Sequence, residues 1–418
     1  MITTLYTIAI HAYSLAMHLA AVWHPKARQW TAGRKKVWEQ LSVFNKKIDP
    51  KQPCYWMHCA SLGEFEQGRP LLDQLKAQYP DSYIVLTFYS PSGYEIRKNY
   101  PSADLVCYLP LDTPTKVRRF LSVLQPTMAI FVKYEFWRHY LHQLHQQKIP
   151  TILISALFRP GQLFFRSYGG WYRRLLQYFD HFFVQDERSA QLLASTGFTN
   201  CTISGDTRVD RVLQLSEEAK AYPVIARFCG TAPVWIAGST WPADEELLFP
   251  FWQHHLPSDW RLIIAPHEIT PAHLQQIEKT APFPIVRYSE LVENEHLGDQ
   301  ARILLIDNIG MLSALYRYGK IAYIGGGFGK SIHNLLEPIA FRLPVIFGPK
   351  HEKFQEALAL KDSGGGYAVS GPEELVATFT ALSDQYTYQH ASQAAYDYLL
   401  QSKGSTTKIL TYIATFAP

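Results

Sequence analysis

The sequence predicts an α/β protein built from two doubly wound parallel sheets, with helical segments at both ends of the chain. Three observations carry this. At 418 residues, the chain has room for two to three domains of about 150 residues each. From Cys54 onward, short apolar runs alternate with stretches of helical spacing, the rhythm of a parallel sheet covered on both faces. That rhythm breaks once, in a polar, helix-prone stretch around 211–222, and restarts at Val234.

Composition narrows the class. Hydrophobic residues make up 47% and charged residues 18%, which excludes wholesale disorder and allows sizeable cores. A mean hydropathy of -0.12 leaves no room for a series of membrane spans. The net charge of +4 is too mild to predict nucleic-acid binding. Cys54, Cys59, Cys107, Cys201 and Cys229 are odd in number and form no C-x-x-C, so they read as small buried hydrophobes in a reducing compartment.

Taken in order, the first element is residues 2–23, which carry no Asp, Glu, Lys or Arg. As a helix they would be about 33 Å long, enough for a hydrocarbon core of about 30 Å. Thr4, Thr7, His11, Ser14 and His18 fall on one stripe; Leu5, Ile8, Ala12, Leu15, Leu19 and Val22 fall on another. Such a pattern predicts an amphipathic helix lying in a membrane interface or docked by one face. Lys26, Arg28, Arg34, Lys35 and Lys36 follow, interleaved with Trp23, Trp30 and Trp38. Basic side chains favour anionic headgroups and tryptophans favour the interface, so this segment is expected at the cytoplasmic face of a membrane.

Strands are expected at 55–59, 83–87, 105–108, 128–132, 151–155, 181–184 and 201–204, then at 234–237, 261–265, 285–287, 303–306, 321–324 and 345–347. Helical spacing is clearest at 68–78 and 114–124, and everything from Pro372 onward reads as helix. Two such domains joined by one linker would form a cleft between the carboxyl ends of their strands, where ligands of these sheets bind.

Several motifs fail. Gly325–Ser331 ends like a P-loop but has Ile324 where its first Gly must stand. Cys59–Gly63 lacks the leading Gly of a nucleophile elbow. His267-Glu268 and His351-Glu352 lack the second histidine of a zinc-protease helix, and no metal or other cofactor is expected.

Others hold. Ser61-Leu62-Gly63-Glu64 follows the first strand. Gly63 would let the chain turn tightly and project Glu64 as a general base, or Ser61 and Glu64 form a capping box. Glu135, just past the fourth strand, either supports Glu64 and the acceptor or is a first-turn helix acid. Arg208 either neutralises a departing phosphate or pairs with Asp206 or Asp210. Ser239 and Thr240 end a strand with small hydrogen-bonding residues, as a nucleotide pocket needs. Asn308 to Leu312 would open a helix whose amides bind a phosphate or base edge, while Asn334 and Glu337 would meet phosphate and ribose, or merely cap a helix.

In order along the chain, the basic segment 33–38, ASLGEFEQGRPLL (60–72), YEFWRHYL (134–141), SGDTRVD (204–210), AGSTWPADEELL (237–248), DNIGMLSALY (307–316), GGGFGKSIHNLLEPIAF (325–341) and PVIFGP (344–349) resemble the motifs of the 3-deoxy-D-manno-octulosonic acid (Kdo) transferases. The resemblance implies a GT-B fold, whose two Rossmann-like domains face across a cleft. It also implies inverting transfer of Kdo from CMP-Kdo to a lipid A precursor (lipid IVA) in lipopolysaccharide inner-core biosynthesis. The implied partners are CMP-Kdo, the lipid A precursor and the inner-membrane lipid surface, with no nucleic acid. Glu64 matches the family's catalytic base, with Ser61 and Gly63 in the acceptor-side loop, and Glu135 and Arg208 match its transition-state support. Contacts to CMP map onto Pro266, His267, Ile309, Gly310, Met311, Asn334, Leu335, Leu336 and Glu337. This chain has Lys133-Tyr134-Glu135 where the family has Glu-Thr-Glu, Arg208 where Lys is commoner, His267 where Arg is usual, and Gly310-Met311 where Gly-Glu is usual.

The division expected on this reading is a membrane-associating helix and basic segment (1–48), an acceptor-binding domain (49–210), a linker (211–232), a CMP-sugar-binding domain (233–400) and a C-terminal helix (401–418). A GT-B transferase or epimerase using a UDP-sugar, and a non-catalytic membrane-bound nucleotide-binding protein, are the alternatives.

Overall fold

The computed structural model describes residues 2–416. It divides into two compact units, one running to Asp210 and resuming at Ser402, the other spanning Arg211–Gln401.

In the first unit, seven strands form one parallel sheet: β1 (Cys54–Cys59), β2 (Tyr83–Phe88), β3 (Leu105–Tyr108), β4 (Met128–Val132), β5 (Thr151–Ala156), β6 (His181–Val184) and β7 (Cys201–Ile203). Their order is β3-β2-β1-β4-β5-β6-β7, so the winding reverses between β1 and β4. Central strands are mostly apolar because helices cover both faces, as in the fully buried MAIFV of β4. One face packs Trp56, Phe131, Phe120 and Tyr140; the other packs Met57, Ile130, Leu71 and Leu75.

The N-terminal segment is two helices, α1 (Ile2–Ala20) and α2 (Pro25–Asn45), bent by 118° at the break between them. Among the described residues no single helix is long and apolar enough to cross a membrane. α1 docks by the side bearing Tyr6, Thr7 and Ser14 and leaves Leu5, Ile8, Leu15 and Leu19 exposed, as are Val22 and Trp23 in the turn that follows it. α2 buries Ala27, Trp30, Val37, Leu41 and Phe44, a stripe at helical spacing. At Gly33 a Cβ would lie 2.1 Å from the Tyr108 ring, so α2 meets the sheet too closely for any other residue.

Not all of the basic segment is a surface patch. Trp30 is buried, and Arg34 turns inward to donate to the carbonyls of Tyr89 and Leu109, with its guanidinium 3.8 Å from the Trp30 ring centre. Burial pulls the Arg34 pKa down to about 10. Trp38 is half-buried beneath Arg119. Lys26, Arg28, Lys35 and Lys36 remain exposed.

The second unit repeats the pattern with β8 (Val234–Thr240), β9 (Arg261–Pro266), β10 (Ile285–Arg287), β11 (Ile303–Leu305), β12 (Ile321–Ile324), β13 (Val345–Phe347) and β14 (Gly366–Ala368). The order is β10-β11-β9-β8-β12-β13-β14, all parallel, with the reversal between β8 and β12. β14 was not expected: three residues opening on Gly366 carry too little apolar pattern, and pairing with β13 creates the strand.

Residues 211–232 are not an open linker. They form most of the helix Arg208–Glu217 and all of Pro223–Cys229, whose Ile225, Phe228 and Cys229 are buried. The chain also passes between units twice. The helix Ser405–Ala414 buries Ile409 and Ile413 in the first unit's core, and Asp210 accepts from the amides of Gly404 and Thr406. Among the described residues no cysteine is paired; four are buried and Cys201 is half-buried.

Candidate active site

Ligands of doubly wound sheets bind beyond the carboxyl ends of the strands where the winding reverses. In the first unit that point lies between β1 and β4, and both candidate carboxylates stand there. Glu64 is the third residue of α3 (Leu62–Gln78), which starts directly after β1 with Ser61 as N-cap. The Ser61 side chain makes no capping bond to the helix and instead gives its hydroxyl proton to Glu64 Oε2. The capping box is therefore not formed, and the half-buried carboxylate keeps its position through Ser61.

Gly63 does not make the tight turn expected of it. It has no positive φ, and a Cβ there would meet only Ser61 Oγ at 3.8 Å. A helix start already turns the chain, so Gly63 adds open space beside Glu64 rather than a bend. Gly68, one turn on, is the glycine that packing requires: its Cβ would lie 2.8 Å from Met57 Sδ.

Glu135 is not a first-turn helix acid. It precedes Trp137, the N-cap of the helix Arg138–Gln146, and is buried. Its Oε2 meets His58 Nε2 at 3.0 Å and accepts from Trp137 Nε1 at 2.5 Å. His58, wholly buried on β1, also faces Thr87 on β2. Sequence reasoning passed over His58 because it sits among the apolar residues of β1 and looks like core, and it gave Trp137, within the motif around Glu135, no role of its own.

Arg208 is bound to Asp206, with Nη2 2.6 Å from Oδ2 and Nε 3.1 Å from Oδ1. Burial would raise the Asp206 carboxyl, but the guanidinium overrides it and holds the pKa below the usual range, with help from Lys133. Lys133, which replaces the family's first Glu, sits at φ 69° just past β4 and adds positive charge toward Asp206.

In the second unit, the reversal lies between β8 and β12. Ser239 has φ 55°, and the glycine-rich loop after β12 closes on it: a Cβ on Gly325 would lie 2.3 Å from the Ser239 carbonyl oxygen. Gly326, at φ 92°, gives its N–H to Asp244 Oδ2 at 2.9 Å, and Asp244 also accepts from Tyr323 Oη and the Trp241 amide. Thr240 donates to Glu245 rather than into the loop mouth. Pro266 ends β9 buried, and the next residue, His267, is exposed and stacks on both Trp241 and His333, at centroid distances of 4.7 and 4.2 Å. His333 Nε2 accepts from Trp241 Nε1 at 3.1 Å. Burial and then His267 hold the His333 pKa down to about 4, which keeps that nitrogen an acceptor at neutral pH. Trp241 and His333 are two members of this wall that sequence reasoning did not single out.

The remaining positions differ in what they present. Ile309 is 91% exposed and Gly310 has φ 98°, whereas Met311 is buried. The helix they open, Leu312–Leu315, has four residues, so its amides offer far less than a full helix. Asn334 caps the following turn, accepting from the Leu336 amide at 3.0 Å and donating to Glu337 Oε1 at 3.0 Å. The Leu335 and Leu336 side chains are core, leaving only their backbone to a ligand. Among the described residues no group of three His, Cys, Asp or Glu is placed to hold a metal ion.

Two Rossmann-like units with loops of this kind at their switch points define the GT-B class of sugar-nucleotide enzymes. Solved structures agree on the fold. UDP-GlcNAc 2-epimerase from Neisseria meningitidis aligns at TM-score 0.60 with 14% identity, over 87% of this chain and 100% of that one. MurG from Acinetobacter baumannii aligns at 0.55 with 13% identity, over 87% and 99%. Residues 35–211 match the family model described as 3-Deoxy-D-manno-octulosonic-acid transferase (kdotransferase). The 3-deoxy-D-manno-octulosonic acid transferase of Haemophilus influenzae is 26% identical over 401 residues, 92% of each chain. That of Aquifex aeolicus is 29% identical over 332 residues, 78% of this chain and 85% of its own. Over most of its length the chain is thus similar to 3-deoxy-D-manno-octulosonic acid transferases.

Proposed function

We propose that this chain is an inverting glycosyltransferase that moves Kdo from CMP-Kdo to a lipid A precursor in lipopolysaccharide core synthesis. The observation that carries the reading is the pair of carboxylates at the switch point of the first sheet, Glu64 at the start of α3 and Glu135 beside His58, in a chain with this family's motifs. Glu64 takes the proton from an acceptor hydroxyl, whose oxygen attacks the anomeric carbon of Kdo as the bond to the CMP phosphate breaks. Arg208 supplies the cation for the departing phosphate once it exchanges Asp206 for it. The second unit takes the nucleotide, with the Trp241, His267 and His333 wall, the Gly325 loop and the Asn334 cap at its switch point.

The membrane side of the reading rests on α1. Its outward line of Leu5, Ile8, Leu15 and Leu19 is apolar and continues into Val22 and Trp23 of the turn, and Lys26, Arg28, Lys35 and Lys36 lie exposed after it. We assign this surface to the cytoplasmic leaflet of the inner membrane, where the lipid acceptor resides.

Mass spectrometry of a lipid A precursor incubated with CMP-Kdo and the purified chain tests the transfer. Addition of one or more Kdo units by wild type, lost in Glu64→Gln, is expected. Greater thermal protection by UDP than by CMP would instead favour a UDP-sugar enzyme.

A further inference from the structure

His58 and Thr87 are cross-strand partners on β1 and β2, and both are wholly buried. They belong to a chain of hydrogen bonds whose direction is set by its ends. An indole N–H only donates, and an ionised carboxylate only accepts. Trp56 Nε1 donates to Thr87 Oγ1 at 2.8 Å, and of the two acceptors within reach of the Thr87 hydroxyl, His58 Nδ1 at 2.9 Å is nearer than the Met57 carbonyl at 3.4 Å. With Nδ1 accepting, the ring proton sits on Nε2 and is donated to Glu135 Oε2 at 3.0 Å. Trp137 Nε1 donates to the same oxygen.

The opposite neutral tautomer would set the Nε2 lone pair against a carboxylate oxygen 3.0 Å away, with only Trp137 Nε1 at 3.2 Å to donate to it, and that N–H lies nearer to Glu135 Oε2, at 2.5 Å. A doubly protonated ring would donate from Nδ1 to the Thr87 carbonyl at 3.1 Å and still present N–H to Glu135. Both permitted states therefore aim the same proton at the same oxygen.

We propose that His58 is the positioning residue of this site. It holds Glu135 oriented, with Oε2 occupied by two N–H donors and the Oε1 edge left for the reacting sugar. This rests on the reading of Glu135 as a member of the transferase site, and it extends that reading to a buried side chain that touches no substrate.

A double-mutant cycle of His58 and Glu135 in the full chain, with the unfolding temperature followed alongside, tests it. His58→Ala is expected to lower kcat about 10–100-fold while leaving KM for CMP-Kdo within about twofold. His58→Gln, whose amide N–H reaches the place of Nε2, is expected to restore most of that loss. With Glu135→Gln already present, His58→Ala should cost less than about threefold more. Equal costs in both backgrounds, or a His58→Gln no better than His58→Ala, would overturn the proposal.

A second readout does not depend on turnover. In 15N NMR of histidine-labelled protein, the signal missing from His58→Gln is expected to carry its proton on Nε2. A neutral Nδ1–H form overturns the proposal. If wild type moves no Kdo yet His58 carries the Nε2 proton, the transfer reading fails and the hydrogen-bond chain stands.

Discussion

Tyr6 of α1 donates its phenolic proton to Asp112 at 2.6 Å, while the same carboxylate accepts from the amides of His139 and Tyr140 at 3.1 and 3.0 Å. One buried carboxyl thus ties the amphipathic N-terminal helix to the start of the helix that follows Glu135. Burial raises that carboxyl to about 6 despite its three donors.

A carboxyl raised in this way binds its proton more tightly folded than unfolded. Its stabilising contribution is therefore full below its ordinary value of 3.8 and is lost as pH rises through about 6. Asp112→Asn cannot ionise, so its stability should vary less across that window. Relative to Asp112→Asn, wild type should lose on the order of 1–3 kcal/mol between the two limits. Urea unfolding of both proteins from pH 4 to 7 checks this; parallel stability curves would refute it.

Ser61 separates catalysis from stability. Because its hydroxyl goes to Glu64 and not to the helix amides, Ser61→Ala should cost less than the roughly 1 kcal/mol typical of a lost cap. It should nonetheless lower kcat, by about tenfold, while Glu64→Gln lowers it about 10²–10⁴-fold. Steady-state turnover and chemical unfolding of the two variants decide between the roles.

Two glycines should respond in opposite ways to alanine. At Gly325 the new Cβ would meet the backbone of Ser239 and Thr240 at 2.3 and 2.7 Å, with no flexible side chain to yield. Gly325→Ala is expected to lose CMP binding and to cost on the order of 3 kcal/mol in the second unit. Gly63→Ala meets open space in a helix and should leave the unfolding temperature unchanged or slightly raised. Calorimetric titration with CMP and thermal unfolding test both.

The exposed line of α1 makes a prediction about surfaces. Leu15→Glu with Leu19→Glu removes apolar contact area on the outward side and touches nothing inside. Sedimentation with vesicles containing anionic lipid should fall several-fold, since each leucine is worth about 1–2 kcal/mol of apolar burial. The unfolding temperature should not move. Unchanged sedimentation would remove α1 from the membrane reading.

The positive charge offers the clearest contrast between sequence and structure. Composition placed a basic, tryptophan-rich segment after α1, and Lys26, Lys35 and Lys36 of that segment are exposed. Arg34 and Trp30 belong to the same run of letters but face the sheet, because α2 turns one stripe of its surface onto β3 and the other onto solvent. A linear reading of charge cannot see that division.

Alternation of apolar runs and helical spacing was enough to determine thirteen of the fourteen strands among the described residues, the doubly wound class and the strand ends at which Glu64, Ser239 and Gly325 stand, since buried parallel strands are mostly apolar and the segments between them more polar. Only the tertiary structure decided what each polar group does. It sent Ser61 to Glu64 instead of a cap, Arg208 to Asp206, and Oε2 of Glu135 to His58 and Trp137. The physical reason is that periodicity reports which face of an element is apolar, whereas a hydrogen bond depends on which strands lie side by side. The order β2-β1-β4, not the spacing of letters, brings Thr87, His58 and Glu135 together.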